Sequence, residues 1–85
     1  MDVTLEIRYF AAAQAAAGTA SERFDCSSTD RISDLLGALE NAHPGLGAVL
    51  PRCSVLLDAV AVAVTTDRQV GSASTVDVLP PFAGG

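Results

Sequence analysis

A chain of 85 residues, 49% of them hydrophobic with few aromatics and no tryptophan, is sized for one domain, 1–85, with one modest core of small and β-branched side chains, and disorder is not expected. Ten acids stand against five arginines and no lysine, for a formal charge of -5. That sign disfavours nucleic acid and anionic membranes as partners and suits a basic protein surface, although mild acidity also serves solubility by itself.

Residues Met1 to Thr4 lack the basic and then apolar pattern of a signal peptide, and the apolar run from Val55 to Val64 is interrupted by Asp58 and too short to cross a bilayer. A soluble, cytoplasmic protein is expected. Cys26 and Cys53 are too few and too far apart for a metal motif, so no metal site is expected, and both read as buried small hydrophobes.

Along the chain, Val3, Leu5, Ile7 and Tyr9 alternate with Thr4, Glu6, Arg8 and Phe10, the pattern of a half-buried strand. Phe10 breaks the polar face at the strand's end and is either a packing residue at the rim or part of a contact surface. Ala11 to Ala17, closed by Gly18, predicts a short helix with a glycine stop. Ser21 to Cys26 alternates again and is expected to pair with the first strand.

Ile32, Leu35, Leu36, Leu39 and Ala42 then recur at helical spacing, with Asp30 as the expected N-cap and Pro44 as the stop. His43, the sole histidine, falls at the helix C-terminus, where a structural role is expected because the sequence offers it no catalytic partner. After a connection over 45–51, Cys53 to Leu57 reads as a strand, Asp58-Ala59 as a turn and Val60 to Val64 as the return strand, with its valines packed and Ala61 and Ala63 on a smooth opposite face. A polar loop anchored by Val70 leads to a last strand, Thr75 to Leu79, with Val76 and Val78 inward and Asp77 and Leu79 outward. The first and last strands carry the strongest alternation and are expected side by side at the centre.

One helix packed across one face of a sheet is the α+β class. Such a helix covers one face, so the opposite side is left for another protein or for water. Phe10, Ala61 and Leu79 share the side away from the helix and form the candidate partner-binding surface.

The last strand runs into Pro80, Pro81, Phe82, Ala83, Gly84 and Gly85. Prolines cannot continue a β-ladder and hold the chain extended, and two closing glycines leave the final carboxylate unencumbered. Six extended residues reach roughly 20 Å, enough to enter a partner's active site. The plain alternative is a frayed terminus, against which stands an exposed Phe82 that would otherwise touch nothing.

With these residues in view, the whole chain resembles the small subunit of molybdopterin synthase, in the ubiquitin-like (β-grasp) sulfur-carrier family. The resemblance rests on Leu79-Pro80-Pro81-Phe82-Ala83-Gly84-Gly85, then on Tyr9-Phe10-Ala11-Ala12, and more weakly on Ile32 to Leu39. It differs at Ala73-Ser74-Thr75, where the family has Gly-Asp, at Asp58, where asparagine is usual, and near Gln14, where arginine is common.

The resemblance implies a β-grasp fold with a mixed sheet, a tail over 80–85, and a cycle in which Gly85 is the reacting residue. An activating enzyme related to those of ubiquitin would adenylate its carboxylate with ATP and magnesium, and a sulfur donor would convert the adenylate to a thiocarboxylate. The tail would then enter the large synthase subunit, within a heterotetramer, and deliver sulfur to cyclic pyranopterin monophosphate. Gly84 would give clearance, Phe82, Pro80 and Pro81 would dock the tail, and Phe10, Ala61 and Leu79 would face the partner. The chain itself would be a non-catalytic subunit holding no permanent cofactor. A carrier for thiamine or cysteine synthesis or tRNA thiolation, a ubiquitin-like protein modifier and a binding module with an inert tail remain open beside it.

Overall fold

A computed structural model describes residues 2–62 and 68–81. Its strands are β1 (Asp2–Tyr9), β2 (Ser21–Ser27), β3 (Ser54–Leu57), β4 (Val60–Val62) and β5 (Thr75–Leu79), joined in one mixed sheet of order β2-β1-β5-β3-β4. The first and last strands lie together, as their alternation predicts, and run parallel with Ile7 beside Val76 and Tyr9 beside Val78. β2 flanks β1 antiparallel, and β3 flanks β5 antiparallel on the other side.

The main helix, α2 (Ile32–Ala42), buries Ile32, Leu35, Leu36 and Leu39 against Leu5, Ile7, Val55, Val76 and Val78. A fully buried leucine contributes about 1.5–3 kcal/mol, so this stripe, rather than intrinsic helicity, holds an 11-residue helix that would be marginal alone. Val70 is buried where expected, and the bridge between Arg31 and Gln69 ties its loop to the start of α2.

The short helix α1 (Ala12–Ala17) ends on Gly18, whose φ of 78° is the left-handed C-cap. Beyond α2 the expected connection is ordered into two 3-10 turns, Pro44–Ala48 and Leu50–Arg52, seated by the buried Leu46 and Leu50. Gly45 is required there, because a Cβ would stand 2.8 Å from the carbonyl oxygen of Ala16.

Several expectations are corrected. Asp30 does not cap α2; its carboxylate accepts the Ser27 amide at 3.0 Å, closing the turn after β2, while Asp34 accepts the Arg31 amide at 3.2 Å at the helix start. Asp30 lies one residue too far from the first helical turn. Val60 is 57% exposed rather than packed, because β4 is an edge strand of three residues and its first residue overhangs the core. Cys26 is half-buried, and Cys53 precedes β3, its thiol donating to the Val49 carbonyl at 3.3 Å. Ala63 and Val64 lie outside the described residues.

Candidate partner-binding face and tail exit

The register sorts every strand residue onto one of two faces. On the side away from α2, the pairings Arg8–Asp77, Asp77–Leu56 and Leu56–Ala61 line up one row across four strands, β1, β5, β3 and β4. The next row holds Leu79 opposite Ser54. Phe10 follows the Tyr9–Val78 pair and donates its amide to the Val78 carbonyl at 3.2 Å, which sets it alongside Leu79.

The shared direction of Phe10, Ala61 and Leu79 is therefore real, and the structure brings them onto one patch. Phe10 is 41% exposed, so it is not packed away at the rim and its ring is open to solvent. Leu56, half-buried between Asp77 and Ala61, adds a further apolar side chain to this face. Sequence reasoning passed over it, although counting alternate residues back from Val55 and Leu57 would have placed it on this face.

Within the patch lies one ion pair. Arg8 grips Asp77 through two hydrogen bonds, Nε to Oδ1 at 2.5 Å and Nη2 to Oδ2 at 2.9 Å, and Asp77 is only 7% exposed. The outward aspartate of the last strand is thus paired rather than offered to solvent, while the Arg8 side chain stays 43% exposed beside the apolar residues of the patch.

The backbone around the patch is held in unusual conformations. Ala11, directly after Phe10, has φ 51° and ψ -125°, and the Ala13 amide donates to the Phe10 carbonyl at 3.0 Å, so the chain turns sharply away and leaves Phe10 protruding. At the β3–β4 turn, Asp58 and Ala59 both have positive φ, 47° and 69°. The Asp58 carboxylate accepts the amides of Ser74 and Thr75, each at 2.9 Å, and those bonds hold its carboxyl below the usual carboxylate range. Two departures from the family pattern, at Asp58 and at Ala73-Ser74-Thr75, are therefore one feature: the aspartate organises the entry into β5.

On the opposite face His43 does have partners. Its Nε2 lies 2.5 Å from Oε2 of Glu22, which also accepts the Tyr9 hydroxyl at 2.7 Å, and the Tyr9 and His43 rings meet edge to face. Burial, with the bond to Glu22 adding to it, pushes the Tyr9 phenol up. This cluster ties β1, β2 and the end of α2 together. It lies on the helix side of the sheet, away from Phe10 and Leu79.

β5 delivers the chain to Pro80, half-buried, and Pro81, exposed, at the end of the described residues. Phe82, Gly84 and Gly85 lie outside them. Among the described residues no cluster of three or more His, Cys, Asp or Glu is placed to hold a metal ion, and no helix is long and apolar enough to cross a membrane.

A five-stranded mixed sheet with parallel central strands and one main helix across it defines a ubiquitin-like β-grasp protein. The model of the ThiS family matches residues 7–85, and the chain belongs to that family. It is 27% identical over 81 residues to the molybdopterin synthase sulfur carrier subunit of Chlamydomonas reinhardtii, covering 95% of this chain and 98% of that one.

Among solved structures, it matches the putative molybdopterin converting factor subunit 1 of Pyrococcus furiosus with a TM-score of 0.81 at 19% identity, over 94% of this chain and 99% of that one. It matches SAMP1 of Haloferax volcanii, a small archaeal modifier protein, with a TM-score of 0.78 at 27% identity, over 98% and 100%. The resemblance drawn from the sequence to the ubiquitin-like sulfur carriers is the family relationship these matches display.

Proposed function

We propose that the protein is a sulfur carrier of molybdenum cofactor biosynthesis, the small subunit of a molybdopterin synthase. The observation that carries this reading is a family match that runs through the Pro80-Pro81-Phe82-Ala83-Gly84-Gly85 tail, delivered by a central strand beside an apolar surface patch. The name of the Chlamydomonas relative, matched over nearly its full length, favours the molybdopterin pathway among the sulfur carriers.

In the proposed cycle an adenylyltransferase of the ubiquitin-activating kind joins the Gly85 carboxylate to AMP with ATP and magnesium, and pyrophosphate leaves. A carboxylate resists attack at neutral pH, and the acyl-adenylate supplies the leaving group. A persulfide-type donor then attacks the acyl-adenylate through its outer sulfur and AMP departs. A second thiol reduces the resulting acyl disulfide, leaving Gly85 as a thiocarboxylate and the donor sulfur and that thiol joined as a disulfide. The large synthase subunit receives the tail and directs that sulfur to cyclic pyranopterin monophosphate. The tail has no charged side chain, so the groups that stabilise these steps belong to the partners. The chain's own part is to present Gly85, with Gly84 giving clearance, and to dock through Phe10, Leu56, Ala61, Leu79, Pro80, Pro81 and Phe82.

A second reading, conjugation of Gly85 to lysines of other proteins, is favoured by the likeness to SAMP1. One experiment separates them: incubation with ATP, magnesium, an activating enzyme, a sulfur donor and lysine-bearing proteins, followed by intact-mass analysis. Exchange of one terminal oxygen for sulfur supports the carrier, and isopeptide adducts support the modifier. An unchanged mass, with a control carrier converting in the same mixture, would remove both.

A further inference from the structure

β2 forms one edge of the sheet, and its free side has a defined length. The Tyr9 amide donates to the Ala20 carbonyl at 2.8 Å, which fixes the phase of the ladder: Glu22, Phe24 and Cys26 turn their backbone groups toward β1, while Ser21, Arg23, Asp25 and Ser27 turn theirs outward. At both ends the outward groups are occupied. Thr19 Oγ1 donates to the Ser21 carbonyl at 2.9 Å, the Ser27 amide donates to Asp30 at 3.0 Å, and the Ser27 carbonyl accepts the Asp30 amide at 2.9 Å. Between these ends, the amides and carbonyls of Arg23 and Asp25 have no hydrogen-bond partner among the described residues.

We propose that this edge is an interaction surface for a second copy of the chain, paired antiparallel about a two-fold axis through Phe24. In that register Arg23 lies opposite the partner's Asp25, and Asp25 opposite the partner's Arg23. Both are outward-facing positions, so each pair exchanges two main-chain hydrogen bonds, and each sets opposite charges side by side on one face of the joined sheet. Arg23 makes no ion pair within its own chain among the described residues and is exposed.

The axis brings Phe24 opposite its own copy in a non-hydrogen-bonded pair, where side chains approach most closely. Phe24 is half-buried against the core of its own chain, and the second copy covers the rest. Charge also selects the register. Sliding by two residues, the smallest step that keeps outward groups facing each other, sets Arg23 opposite the partner's Arg23 or Asp25 opposite the partner's Asp25.

The contact is isologous, short and made between bodies that each carry -5, so it is a weak, concentration-dependent dimer rather than an obligate one. It leaves Phe10, Leu79 and the tail exit open, because β1 separates β2 from β5.

The test is a dilution series of the full chain by sedimentation velocity and backbone-amide NMR, with the amide spectrum of each variant checked for the wild-type fold. The expected result is self-association, with concentration-dependent shifts centred on 21–27. Arg23→Asp and Asp25→Arg should each weaken it at least about tenfold, because like charges then lie opposite one another. The double exchange Arg23→Asp/Asp25→Arg, and an equimolar mixture of the two single variants, should each restore it. A monomer at every concentration, shifts mapping elsewhere, or failure of both restorations would overturn the proposal.

Discussion

Arg8 and Asp77 face each other across the parallel pair at the centre of the sheet, the guanidinium bonded twice to a carboxylate that is almost wholly buried. The two partners are not equivalent. The Arg8 side chain is 43% exposed and re-solvates when Asp77 is removed, whereas Asp77 left alone is a buried charge without its partner. Arg8→Ala is therefore expected to lower the unfolding midpoint more than Asp77→Ala, and the double substitution should recover part of the Arg8→Ala loss. Urea denaturation of the three variants checks the ordering; equal losses from the two single changes would mean that Asp77 reaches water unaided.

A second expectation concerns acid. Hydrogen bonds from the amides of Ser74 and Thr75 depress the Asp58 carboxyl in the folded state. A depressed acid contributes stability that is fully present above its unfolded value and is lost as pH falls through the folded one. Asp58→Asn keeps an acceptor oxygen and tolerates positive φ but has no charge to lose. Its deficit relative to wild type should thus be largest near neutrality and close as the pH drops below about 4, the unfolded carboxyl value. Thermal melts across that range read the convergence directly, and a pH-independent gap would contradict the assignment.

Two alanines adopt backbone angles that L residues avoid: Ala11 at φ 51° and Ala59 at φ 69°. Positive φ costs an L residue about 1–2 kcal/mol in the left-handed helical well. Ala11, at ψ -125°, lies outside even that well, in a region glycine adopts freely. Glycine escapes the cost at some loss in unfolded-state entropy. Ala59→Gly and Ala11→Gly should each stabilise the fold by roughly 0.5–1 kcal/mol. Asp-Gly is also the sequence that a two-residue turn with positive φ at both positions prefers. Chemical denaturation measures the gain. Loss of stability at Ala59 would mean that its methyl group makes contacts that outweigh the backbone strain.

The sheet and α2 were legible because their signals are local: alternation in β1 and β5, and the spacing of Ile32, Leu35, Leu36 and Leu39, each report one buried face. What escaped depends on groups distant in sequence. His43 reads as a helix-end residue without a partner, and its contact, Glu22, lies 21 positions away on a strand. Asp58 and the amides of Ser74 and Thr75, separated by 16 and 17 positions, read as two unrelated oddities. Asp30 misled because a good capping residue two places before Ile32 served the preceding turn instead. In the candidate patch, parity placed Phe10, Ala61 and Leu79 correctly. It missed Leu56 because a leucine between two core residues of a short strand looks like core; alternation with Val55 and Leu57 turns it outward, and the register sets it between Asp77 and Ala61.

That register makes Leu56 a test of the patch. Leu56→Arg and Phe10→Arg should each weaken binding to the activating enzyme or the large synthase subunit at least about tenfold, the loss typical of a contact near the centre of an interface. Glu40→Arg, on the exposed side of α2, should leave affinity unchanged. Calorimetric titration makes the comparison, and circular dichroism confirms that each variant is folded. Equal affinity for wild type and Leu56→Arg would move the docking surface elsewhere.

The tail poses the sharpest separation between folding and function. The core is complete without it: Val78 is fully buried and the Leu79–Ser54 pair ends the described sheet register. Deleting Gly85, or appending a short tag after it, should therefore leave the melting temperature within about a degree of wild type, since surface changes away from packed or bonded groups shift stability little. The same changes should abolish sulfur loading, because the reacting carboxylate is either missing its glycine or no longer at the end of the chain. Gly84→Val should fold normally and load slowly, as a branched side chain next to the reacting residue narrows its passage into a partner's site. Paired melting curves and intact-mass assays on the three variants measure both properties at once. Loading that survives a tag left in place would require a different acceptor atom and would end the proposal that Gly85 carries the sulfur.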